Sequence, residues 1–296
     1  MLYSTNTQPL SARESIGLLK GVEMIADSGF TAVDLSFNND YEFAMASNYK
    51  DTARELNSIV NARGVIFNQA HAPFGGGYEK YTTLTIPNLP RVIEFCGLLG
   101  IKCLVVHPLQ RGRYYGQEEE LFELNMKFYS SLAPYAKDAG VKIGIENMWH
   151  NHPVTGVIVD DTCADPHELN RYYDSLNDPE AFTVCLDIGH VALCNREPED
   201  AVRVIGHTRL GAIHAHDVDY VNDLHTLPGQ SKINWEAVCR ALAEVDYTGD
   251  FTLEANSFIK RYPEEHFPAT LRFMAETAKL YADKIEAYKR ELNANK

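Results

Sequence analysis

Short apolar, β-branched runs alternate with longer amphipathic stretches from one end of the chain to the other. Eight such runs stand out, at residues 2–4, 32–36, 65–69, 102–106, 141–146, 183–187, 210–216 and 250–254. Between them, helical periodicity covers residues 15–27, 48–62, 89–99 and 118–139, each stretch closing at or beside a glycine, as a helix C-cap does. Weaker helical patterns follow at 166–175, 198–205 and 235–245, and a long one at 268–292. Strand and helix in strict alternation build parallel β-α units, and eight units close a barrel. The pattern therefore predicts an α/β chain folded as one (β/α)8 TIM barrel over residues 1–296. Two intervals, 149–165 and 217–233, exceed a minimal barrel loop and are expected to cover an active site.

Composition narrows the function. With 296 residues, 45% of them hydrophobic and 23% charged, the chain can bury one large core. A net charge of -14 disfavours nucleic acid and anionic lipid as partners, because polyanions are met by clustered Lys and Arg. The six cysteines are scattered without a C-x-x-C pair, which suits a reducing cytoplasm. The first eleven residues have neither the basic start nor the apolar core of a signal peptide, and no apolar run reaches membrane-spanning length. A cytoplasmic protein with a small-molecule partner is expected; self-association into a homo-oligomer is left open.

Barrels place their chemistry at the carboxyl ends of the strands, so the residue closing each apolar run is informative. Here those residues are ionisable. They are His71, His107, Glu146, Asp187 with His190, His214 with His216, and Glu254. Burying so many charged groups at one end of a core would cost several kcal/mol each without compensation. A divalent cation supplies it, and mixed carboxylate and imidazole ligands suit Zn, Mn, Co or Fe better than Ca. His214 and His216 share a face by strand alternation; His216 is the expected ligand, and His214 is given a supporting or substrate-binding role. In the loop that follows, Asp223 and His225 are spaced to converge on a metal with His190 as a separate site. Cys185, on the face of Asp187, is expected to fill core.

With these residues in place, the chain resembles the xylose-isomerase-like superfamily of barrels. That group includes sugar epimerases related to tagatose and psicose 3-epimerases, inosose dehydratases and the endonuclease IV family. The resemblance rests on Glu146, Asp187, His216 and Glu254 in order, on Asp187-Ile188-Gly189-His190, and on Pro228-Gly229 followed by Ile233-Asn234-Trp235. It implies one metal ion on those four residues, Glu146 and Glu254 doubling as an acid/base pair, and His190, His214, His71 and His107 near substrate. Epimerases of this group carry an arginine where His225 stands, a departure that bears on hexulose epimerisation. The endonuclease IV family binds three zinc ions, and His71, His107, Glu146, Asp187, His190, His216, Asp223, His225 and Glu254 match its ligand positions. Segments 74–77 and 36–40 do not resemble that family's DNA-inserting loops. The expected function is a sugar or sugar-phosphate isomerase or epimerase working through a metal-stabilised enediolate, with Zn, Mn or Co as one ion or up to three. The alternatives are a multinuclear zinc phosphodiesterase and a polyol dehydratase.

Overall fold

The computed structural model describes residues 1–37, 41–75 and 77–294; residues 38–40 and Gly76, which fall in the two segments compared with DNA-inserting loops, lie outside the described residues. Eight parallel strands form a barrel. They are β1 (Tyr3–Thr5), β2 (Ala32–Ser36), β3 (Ile66–His71), β4 (Cys103–Val106), β5 (Lys142–Glu146), β8 (Phe182–Asp187), β9 (Leu210–His214) and β10 (Phe251–Leu253). Six of them pair in the order β2-β3-β4-β5-β8-β9, and β1 pairs with β10. Single bridges, Asn6 to Asp34 and Ala215 to Leu253, join the two sheets into a ring.

The apolar periodicity explains the layering. Outward side chains of the strands meet the apolar stripes of the surrounding helices in one continuous core, which holds Phe95, Tyr129, Phe182, Tyr247 and Phe267 at 2% exposure or less. Inside the barrel a second, smaller cluster of Cys103, Val105, Cys185 and Ala212 plugs the lumen. Cys185 is thus core filling, one pleat below Asp187. All six cysteines are free and buried.

Two strands end two residues away from the end of their apolar run. β3 continues to His71, beyond Gln69, because Asn68 and Gln69 are buried polar residues within the strand and break its hydrophobic signature. β9 stops at His214, after which Ala215 crosses to pair with Leu253. The long interval after β5 contains an antiparallel hairpin, β6 (Trp149–Asn151) with β7 (Ile158–Asp160).

Polar clasps pin this hairpin over the barrel mouth. Arg196 grips Asp160 with two hydrogen bonds of 2.7 and 2.8 Å, and Gln110 donates to Asp161 at 2.8 Å. Glu168 fastens the neighbouring loop, accepting from the Tyr114 hydroxyl at 2.9 Å and the Cys163 amide at 2.8 Å. The loop at 217–233 is stitched from within: the buried Asp217 carboxylate accepts from the amides of Gly229, Ser231 and Ile233. No helix among the described residues is long and apolar enough to cross a membrane.

Burial pushes the Glu168 carboxyl up to about 7, against the hydrogen bonds from Tyr114 and Cys163 that draw it down. A carboxyl raised on folding stabilises fully below its ordinary value of 4.5 and loses that contribution as pH climbs through about 7. Glu168→Gln should therefore flatten the decline in melting temperature between pH 5 and 8 seen by calorimetry. A decline as steep as that of the unaltered protein would contradict this role.

Candidate metal centre

At the carboxyl end of the barrel, Glu146, Asp187, His214 and Glu254 each offer a ligand atom, and these atoms all lie within 4.8 Å of one another. Nδ1 of His214 sits 2.6 Å from Glu146 Oε1, 3.3 Å from Glu254 Oε2 and 3.9 Å from Asp187 Oδ2. The group is buried, with Glu146, Asp187 and His214 at 0% exposure.

The sequence expectation placed His216 in this group, and the geometry places His214 there instead. Strand register gives the reason. Asp187 of β8 pairs with His214 of β9, which sets the two side chains at one height. His216 faces inward too, but two residues further along, roughly 6.5 Å higher. It meets Asp187 from above at 3.0 Å and stacks on His225 at 3.9 Å between ring centroids.

His216 belongs to a second group with His190, Asp223 and His225. A third set, His71, His107 and Glu146, shares Glu146 with the first. Glu146 stands between the two: Oε1 faces His214, while Oε2 lies 2.8 Å from His107 Nε2 and 3.5 Å from His71 Nε2. All ten expected site residues thus gather at one mouth, in three clusters of which two share Glu146.

The histidines are oriented from behind. Nδ1 of His71 donates to the Ala72 carbonyl, that of His190 to the Asn147 carbonyl, and that of His225 to the Glu254 carbonyl, each at 2.8 Å. A carbonyl can only accept, so the proton is fixed on Nδ1 and Nε2 is turned toward the site, the arrangement that metal-binding imidazoles require. His225 is held there with φ of 40°, in the left-handed region that costs a non-glycine residue about 1 kcal/mol or more. Asn147 ties two strand ends together, accepting from the Asp187 amide at 2.7 Å and donating to the Asp187 carbonyl at 3.0 Å.

Electrostatics shows what the cluster lacks. Burial pushes Glu146 up, but the charges of His214 and His107 and their hydrogen bonds hold it well below the usual carboxylate range. Burial likewise opposes ionisation of Asp187, and His190 and His216 overcome it. Burial draws His214 down, yet Glu254 and Glu146 raise it well above an ordinary imidazole, and His225 is raised to about 10 chiefly by Asp223. Without a cation, protons on the imidazoles must do the neutralising. Even so, Asp223 Oδ1, His214 Nε2 and His216 Nδ1 are buried with no hydrogen-bond partner. Unpartnered polar atoms on residues that converge in these clusters fit ligation better than a finished hydrogen-bond network.

His71, His107, Glu146, His190, Asp223, His225 and Glu254 form the floor of a cavity of about 540 Å³, walled by Phe74, Tyr78, Trp149 and Arg111 among others. Sequence reasoning reached Trp149 only as part of the interval 149–165 and Phe74 only as part of the segment 74–77, and it did not single out Tyr78 or Arg111, since nothing in an apolar pattern marks a loop side chain that turns into a pocket. It also passed over Asp34, visible as the one acid inside the run 32–36. Asp34 is fully buried, bonded to Asn6 at 3.0 Å, and raised to about 6 by burial against the pull of His214 and His71.

A family model described as xylose isomerase-like TIM barrel matches residues 22–277. Over 171 residues the chain is 29% identical to an inosose dehydratase of Bacillus cereus, covering 52% of this chain and 53% of that protein. Matches to curated relatives cover between 51% and 62% of those proteins' lengths. Among solved structures, a D-tagatose 3-epimerase-like protein superposes with a TM-score of 0.76 at 22% identity, over 97% of this chain and 99% of the other. The IOLI protein, solved with a bound zinc atom, superposes with a TM-score of 0.71 at 19% identity, over 97% and 99%. At these identities the structural matches speak for the fold alone.

Gly189 is where the floor tolerates least change. A Cβ there would lie 2.1 to 2.7 Å from ring atoms of His216. Gly189→Ala should cost about 1–3 kcal/mol in urea unfolding and displace the His216 ring in a crystal structure. An unchanged midpoint with His216 in place would refute this packing.

Proposed function

Because the chain belongs to the xylose isomerase-like TIM barrels, we propose that it is a metal-dependent enzyme that moves a proton on a carbon beside a carbonyl in a small polyol or ketose, giving an isomer or epimer. The observation that carries this reading is the convergence of Glu146 and Glu254, which line one cavity, with the buried Asp187 and His214. A divalent cation bound there supplies positive charge beside a carbonyl oxygen and so acidifies the neighbouring C–H.

The rest is work for the chain's own groups. One of Glu146 and Glu254 takes the proton from carbon and the other returns one. Return to the opposite face of the same carbon inverts it; return to the neighbouring carbon moves the carbonyl. His107, at the cavity edge and 2.8 Å from Glu146, can pass that proton between carboxylate and substrate oxygen. Trp149 and Phe74 wall the site and keep bulk water from the carbanion-like species. Loss of a hydroxyl from the carbon next to the deprotonated one is dehydration, and the likeness to an inosose dehydratase supports that branch for this chain.

A second reading is favoured by a specific feature, the additional group of His190, His216, Asp223 and His225. These residues, with His71, His107 and Glu146, could hold further divalent ions, whose positive charge would favour water ionisation and phosphate binding in hydrolysis of a phosphoester. Metal analysis separates the readings: one ion per chain favours proton transfer, two or three favour hydrolysis, and cleavage of an abasic-site duplex would establish the latter.

Protein loaded with Mn, Co or Zn and incubated with ketoses in deuterated water should incorporate deuterium at a carbon beside the carbonyl. Glu254→Gln should lower that exchange by about a hundredfold or more. Absence of exchange at any carbon across the panel would overturn the proposal.

A further inference from the structure

Resting on the proton-transfer reading above, we infer that the cavity selects a phosphorylated substrate, and that Arg111 is the residue that recognises the phosphate. The cavity has two unlike regions. Its floor is the carboxylate and imidazole cluster, fit for a carbonyl and hydroxyls; its wall near the mouth carries Arg111 beside Tyr78 and Gly112. Arg111 is the sole Lys or Arg among the described residues lining the cavity, in a chain of net charge -14. An anion approaching this protein meets repulsion nearly everywhere else, so one guanidinium on the wall governs whether an anionic group can be held there.

The side chain is already set in place. Its guanidinium lies over the Tyr78 ring, 5.3 Å from the centroid, and Nη1 bonds Glu120 at 2.5 Å. An arginine held by stacking and by one ion pair still offers further N–H donors of its fork to a tetrahedral oxyanion, a geometry that lysine does not reproduce. The bland alternative is that Arg111 exists only to pair with Glu120 and tie its loop to the helix Glu118–Ala139. Against it, the Glu120 side chain is 65% exposed while that of Arg111 is 33% exposed. An ion pair with so solvated a carboxylate is weak. A phosphate monoester carries up to two negative charges, and in the less hydrated cavity it outcompetes a single exposed carboxylate for the same guanidinium.

The space is adequate as well. A volume of about 540 Å³ lies within the range for small-molecule sites and exceeds what one neutral ketose ring fills. Gly112, with φ of 75°, turns the loop immediately after Arg111 without placing a side chain in the mouth.

The test uses metal-loaded full-length protein, calorimetry, and matched probes: D-fructose with D-fructose 6-phosphate, and D-tagatose with D-tagatose 6-phosphate. The phosphorylated partner should bind about ten- to a hundredfold more tightly than the neutral one. Arg111→Gln should bring that ratio close to one, Arg111→Lys should restore part of it, and Glu120→Gln should leave it equal or larger. Equal affinity for both partners in the unaltered protein would overturn the inference. So would a ratio that Arg111→Gln leaves intact, or one that Glu120→Gln abolishes, since the last would make the ion pair itself the determinant. The failure of the two ideas is distinguishable: deuterium exchange on ketoses without a phosphate preference sinks this inference alone, whereas a phosphate preference without exchange sinks the proton-transfer reading.

Discussion

Carboxylates out of water must be neutralised, and the mouth of this barrel is built around that requirement. Glu146, Asp187 and Asp34 are wholly buried, with Glu254 beside the first two. Taking each such charge out of water costs several kcal/mol unless opposite charge sits within a few ångströms. The imidazoles of His214, His107, His71 and His216 are placed to provide it, by carrying protons or by sharing a cation. Those two ways of balancing the charge are mutually exclusive at a given nitrogen, so occupancy by metal and protonation of the site are linked.

The barrel supplies the precision this balance needs. Register between β8 and β9 sets Asp187 and His214 at one height, the Asn147 amide locks the ends of β5 and β8, and backbone carbonyls fix the proton position on three histidines. Around this rigid floor the wall is made of loops, and the loops are clasped rather than loose: Arg196 on Asp160, Gln110 on Asp161, and Asp217 on three amides of its own segment. Chemistry common to the family can then reside in the floor, while selectivity for a particular substrate resides in side chains such as Arg111 and Tyr78 on the wall.

Much of the architecture was legible because a parallel barrel writes itself as alternating apolar runs and amphipathic helices closed by glycine. Gly100 and Gly140 end their helices in the left-handed conformation, as their places in the pattern imply. The ionisable strand ends were legible for the same reason, being polar residues where apolar ones were due. Depth was not: alternation says that His214 and His216 share a side, but only the pairing of β8 with β9 says which is level with Asp187. The β6–β7 hairpin escaped notice because its strands are three residues each and half-exposed, too short for a period of two to show. Asp34 hid inside an apolar run, and Arg111 in a loop whose course no periodicity dictates.

The central claim is that a divalent cation completes the group formed by Glu146, Asp187, His214 and Glu254. Anomalous diffraction from crystals of protein loaded with zinc or manganese tests it directly. A peak is expected, bonded to all four side chains at about 2.0–2.3 Å, with His214 Nδ1 as the imidazole ligand. Absence of a peak there in metal-loaded protein, with His214 still hydrogen-bonded to Glu146 as at 2.6 Å here, would contradict it.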